Sequence, residues 1–138
     1  MSGVCFALLC ADRVITEDNG KKGLIGVFSG FHFPEFPSIP TQWFIYAGLA
    51  NLRGDNRFSI NLVHDETQSV LLSLGGDLSV AEGQENDIEL VVPVMNLIFA
   101  QAGAHTLILN IEGIPYASRV LRVTKAGGES QPPGLRSN

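Results

Sequence analysis

The stretch Arg57-Phe58-Ser59-Ile60-Asn61-Leu62-Val63-His64 alternates polar and apolar side chains with a period of two. Phe58, Ile60 and Leu62 face one way, and Arg57, Ser59 and Asn61 the other. This is the pattern of a strand with one buried and one solvated face. Downstream, Val70 to Val80 repeats it, with Val70, Leu72, Leu74, Leu78 and Val80 inward and Ser73, Asp77 and Ser79 outward. The Gly75-Gly76 pair inside that run predicts a bulge or sharp bend. Ile88, Leu90, Val92 and Val94 line one face of a further strand, and Asn96 to Ala104 reads as a connection with room for one helical turn. Thr106–Glu112 and Tyr116–Val123 form a last hairpin across Gly113-Ile114-Pro115.

Upstream, Val4–Cys10 and Leu24–Phe31 are strand candidates. His32 to Pro40 carries Pro34, Pro37 and Pro40 and is expected outside any sheet, because proline lacks the ladder N–H. Thr41–Leu52 is apolar at nearly every position, and Asp55-Asn56 is expected inside the tight turn that follows. About eight short strands punctuated by turn residues predict an all-β domain. They close most simply as a two-sheet antiparallel β-sandwich, immunoglobulin-like or jelly-roll-like. Residues 1–124 would form this domain. Residues 125–138, with three glycines, two prolines and no apolar periodicity, would form a flexible tail.

Composition sets several functions aside. A chain of 138 residues with 45% hydrophobic side chains can fill a core without disulfides or a structural metal. Its net charge of −5 and scattered Lys and Arg argue against a nucleic-acid surface. No segment has the ~20 apolar residues of a membrane helix. Met1 to Ala11 lacks a basic leader, and the residue before Cys10 is Leu9 rather than a small one, so a cytoplasmic location without a membrane partner is expected. In an extended strand, Cys5 and Cys10 stand roughly 16–17 Å apart, too far for a disulfide, and free thiols fit a reducing compartment.

Candidate chemistry is sparse. His32, His64 and His105 are isolated at strand ends or in loops, without zinc-ligand spacing, and read as surface turn residues. The acidic stretch Glu82 to Glu89 does not match a calcium loop and reads as a solvated segment that discourages edge pairing. Arg53-Gly54-Asp55 falls where a hairpin needs turn residues. No P-loop, dinucleotide fingerprint or nucleophile–base pair is present, so no catalytic, cofactor-binding or metal-ligating residue is nominated and an enzyme is not expected. The candidate site is an interface at Trp43, Phe44 and Tyr46. Thr41–Leu52 is apolar on both faces, and an apolar outer face asks for a cover: a second copy of the chain or another protein. The expected function is a non-enzymatic protein-binding or assembly module. The rival is a small-ligand binder, for a glycan or lipid, at an open end near His32–Pro40.

Two groups of residues resemble a family of small bacterial proteins of unknown function that are predicted to be β-sandwiches. One is Cys10-Ala11-Asp12-Arg13-Val14-Ile15, followed by Leu24-Ile25-Gly26-Val27-Phe28 and a Pro-rich connection into Trp43-Phe44-Ile45-Tyr46-Ala47. The other is Asn96 to Gly103, followed by a strand and Glu112-Gly113, with Ala104-His105 where the family commonly has a basic residue and an aromatic. The resemblance spans about residues 8 to 124. It implies a bacterial source and a sandwich, and it carries over no catalytic residue.

Overall fold

Period-two alternation in successive segments commits the backbone to pleated ladders. A computed structural model describes residues 3–81 and 87–126 and contains nine strands and, among the described residues, no helix. These are β1 (Val4–Thr16), β2 (Lys22–Phe28), β3 (Gly30–Phe33), β4 (Trp43–Ala50), β5 (Gly54–His64), β6 (Val70–Val80), β7 (Ile88–Val94), β8 (Gly103–Ile111) and β9 (Ile114–Lys125). They make a four-stranded sheet, β2-β1-β4-β7, and a five-stranded sheet, β3-β9-β8-β5-β6, curled into a half-barrel. Leu8, Cys10, Ile45 and Leu49 of the first sheet belong to one buried cluster with Ile60, Leu62, Leu107, Leu109 and Leu121 of the second. Each such side chain, fully buried, stabilises the fold by roughly 1.5–3 kcal/mol.

The architecture departs from the expected all-antiparallel pair of sheets at one place. Leu24–Phe31 does not run as one strand. It divides at Ser29, so that β2 hairpins onto β1 while β3 crosses to the other sheet and pairs parallel to β9. Hence nine strands rather than about eight, and one mixed sheet. Gly30 permits the crossing: a Cβ there would collide with the Arg122 carbonyl oxygen. His32 and Phe33, expected outside any sheet, lie in this short strand. They can do so because β3 is an edge and the prolines begin only at Pro34.

Where the chain changes sheets, aromatic rings fill the gap. Phe31 meets Phe28, Trp43 and Phe99 at centroid separations of 4.9, 5.5 and 5.1 Å, and Phe33 stacks on Phe31 at 5.5 Å. Tilted and edge-on pairs of this kind add about 0.5–1.5 kcal/mol each beyond area burial. On the far side, Arg119 of β9 donates from Nη1 to the Leu8 carbonyl on β1 at 3.4 Å, tying the sheets together.

Local corrections follow from register. Gly75 and Gly76 sit in a regular ladder opposite Ser59 and Phe58. The irregularity between β5 and β6 falls between Leu62 and Val63, and Val70, expected inward, is exposed. Gly76 is small because the Phe58 ring lies against it, 2.9 Å from where a Cβ would be. Asp55 and Asn56 belong to β5 rather than to a turn. The β8–β9 turn is Glu112-Gly113, both with positive φ (52° and 77°), which suits the twist of a two-residue hairpin. Asn96–Ala104 makes no helical turn; Phe99 and Ser38 exchange backbone hydrogen bonds of 2.8 and 3.0 Å. Lys125, expected to open the tail, ends β9; the tail from residue 127 and residues 82–86 of the acidic stretch lie outside the described residues.

Candidate functional site

The strand β4 positions the nominated interface, and its pleat divides it. Trp43, Ile45, Ala47 and Leu49 point into the core, and Trp43 is only 2% exposed. Trp43 is therefore a core residue and not part of an interface. Its indole N–H has no hydrogen-bond partner among the described residues, and its ring stands edge-on to Phe28 and Phe31. Phe44 and Tyr46 belong to the opposite, outer face of the four-stranded sheet, where Phe44 is half-buried and Tyr46, 8% exposed, is itself buried.

Register shows what surrounds them. Tyr46 lies between Leu9 on β1 and Val91 on β7; Phe44 lies between Ala11 and Pro93, with Val27 of β2 next to Ala11. Gly48 lies between Ala7 and Glu89. The ladder between β1 and β4 slips between Cys5 and Ala7, and Phe6 occupies the slip. A bulge re-aims a side chain, and here the Phe6 ring lies where a Cβ on Gly48 would be. The face thus carries apolar side chains across all four strands, with Phe6 and Val27 each 51% exposed and Val4 and Ile25 also in contact with solvent.

Charge marks its two ends. Arg13, paired with Ile25, lies two residues beyond Ala11 at one end, and Glu89 lies at the other. The Tyr46 hydroxyl donates to the Glu89 carboxylate. Burial, then that hydrogen bond and the charges of Glu89 and Asp87, push the phenol up to about 12, so it stays a donor.

Burial raises the pKa of both thiols of β1. Cys10 is fully buried between the sheets, and burial pushes its thiol up to about 12; Cys5 is raised by burial as well. Thiolate, the reactive form, is thereby suppressed. Among the described residues no three His, Cys, Asp or Glu side chains gather as a metal site would require, and no helix is long and apolar enough to cross a membrane.

Two histidines are not the surface turn residues their positions predict. His64 and His105 are cross-strand partners on β5 and β8, 2% and 1% exposed, with ring centroids 4.7 Å apart and edge-on. His64 Nε2 donates to the Ala102 carbonyl at 3.0 Å, and its Nδ1 accepts from the Thr67 backbone N–H at 3.2 Å. His105 Nδ1 donates to the Gly103 carbonyl at 3.0 Å. The signal was present: His64 continues the inward series Phe58, Ile60, Leu62, and His105 precedes Leu107, Leu109 and Ile111 in the same phase. His32 is exposed on β3 and meets the Thr124 hydroxyl.

An all-β chain of two sheets with one apolar outer face is the class of protein this geometry defines. Residues 6–124 match a family of unknown function (DUF6941), and the chain belongs to that family. A search of curated proteins finds no match.

Proposed function

We propose that the protein is a non-enzymatic assembly module of the cytoplasm that pairs with a second copy of itself through the outer face of the four-stranded sheet. The observation that carries this reading is the half-exposed apolar row of Phe6 and Val27 around Phe44 and Tyr46. Contiguous apolar surface of this kind marks interaction sites. A second copy is favoured over an unrelated partner by the charges at the ends of the face. A two-fold axis through the Phe44 and Tyr46 rows places Arg13 of each copy beside Glu89 of the other, a self-complementary arrangement.

The finer architecture belongs to the same reading. We take the two sheets as a β-sandwich whose order, β1-β4-β7 facing β9-β8-β5-β6, follows the immunoglobulin-like pattern rather than a jelly roll. In that arrangement β4, β7, β5, β8 and β9 take the places of strands B, E, C, F and G.

Light scattering on protein eluting from size exclusion tests the pairing. Wild-type protein should run as a dimer, and Val27→Arg, at a half-exposed position, should run as a monomer with an unchanged circular dichroism spectrum. A wild-type monomer throughout the micromolar range would sink the proposal.

A further inference from the structure

At the end of the molecule where β5 turns into β6, a cavity of about 400 Å³ opens between that turn and the connection ahead of β8. The volume lies in the range of small-molecule sites, roughly 300–1,000 Å³. Val70, Leu71, Leu97 and Ile98 supply an apolar wall, and Val70 and Ile98 are more than half exposed there. The polar residues lining it are Ser69, Asn96, Gln101 and the two histidines. No Asp, Glu, Lys or Arg does, so nothing in the lining selects a charged ligand.

The histidines are unequal. Both nitrogens of His64 are engaged, one by the Ala102 carbonyl and the other by Thr67. His105 uses only Nδ1, as a donor to Gly103. In the neutral ring that leaves Nε2 as a bare acceptor, and among the described residues nothing donates to it. Burial disfavours the charged ring, so the lone pair stays available. The ring as a whole is 1% exposed, yet Nε2 is not among the fully buried side-chain atoms that lack a partner, so this acceptor stays within reach of the cavity that its side chain lines.

We infer that this cavity binds a small uncharged molecule with an apolar body and one hydroxyl, the hydroxyl donating to Nε2 of His105. The apolar body packs on Leu71, Leu97 and Ile98, and Asn96 and Gln101 at the polar side discriminate by further hydrogen bonds. This site lies on the five-stranded sheet and is separate from the pairing face, so it goes beyond the assembly reading and does not depend on it.

Phenol and anisole separate the contributions, since both bring the same ring and only phenol can donate. In a methyl-labelled NMR titration of the full chain carrying Val27→Arg, phenol should shift the methyls of Val70, Leu71, Leu97 and Ile98 saturably. Anisole, lacking one charge-neutral hydrogen bond, should bind about tenfold more weakly. His105→Phe should remove the difference between the two probes. Ala100→Trp, at an exposed lining position outside the core, should block both. Shifts that fail to saturate, that map elsewhere, or that are equal for phenol and anisole in the parent protein overturn the inference, whether or not His105→Phe folds.

Discussion

Gly103 shows how much one backbone position can hold. Its φ is +131°, and a Cβ there would stand 2.9 Å from His64 Nε2, the atom that donates to the neighbouring Ala102 carbonyl. Gly103→Ala therefore strains the backbone and displaces a buried ring together. Urea unfolding should show a loss of more than about 1 kcal/mol, the scale for alanine at a positive-φ glycine. His105 gives a pH dependence whose sign is set by burial, which holds its pKa below the ordinary value. Below about pH 6.5 the unfolded chain takes up a proton at this residue, while the folded protein resists it until lower pH. In that window the unfolded state binds more protons, so stability present above pH 6.5 is lost as pH falls. Melting temperatures measured from pH 7.5 down to 5 should decline, and His105→Gln should flatten the decline.

At the scale of elements, what was legible in the sequence was whatever leaves a period of two. β5, β8 and most of β6 bury one face, and their alternation shows it directly. β4 was legible as a strand, yet which of its faces is core was not. Trp43 and Phe44 are equally apolar, and only pairing with β1 and β7 tells inward from outward. The histidine pair was readable in principle from its phase, and was hidden because polar residues beside turns suggest solvent. β3 could not be read, since four residues carry too little periodicity and the partner lies far along the chain. Its dependence on Gly30 makes it testable. Gly30→Ala should push β3 away from Arg122 and break the hydrogen bonds Arg122 N–H to Ser29 O (3.0 Å) and Ala126 N–H to Phe33 O (2.8 Å). Faster amide exchange at Arg122 and Ala126, with the β5–β8 core still protected, is the expected result.

For the whole molecule, an apolar outer face and a packed interior make different demands, and the proposed pairing serves the first. If a second copy covers Phe6, Val27 and Phe44, stability is linked to association by mass action. The melting temperature of wild-type protein should then rise with protein concentration, while that of Val27→Arg should not. Calorimetry over a hundredfold concentration range reads this without a labelled probe. Association by edge pairing is disfavoured at β7, where Pro93 faces Phe44 in the ladder and cannot donate an N–H. The proposed pairing uses the outer face of this sheet and not its edge.

The parallel pairing of β3 with β9 has a consequence for synthesis on the ribosome. His32 and Thr124 meet across 92 positions of the chain, and β9 lies inside its sheet, between β3 and β8. A nascent chain that has emerged only as far as the β8 hairpin turn can assemble β1, β2, β4 and β7, and can pair β5 with β6 and β8. It still holds β3 with no neighbour in its sheet. The aromatic rings that seal the crossing wait with it. Completion of the five-stranded sheet is therefore deferred until β9 has been translated, and until then β3, with Phe31 and Phe33, lacks its partner strand.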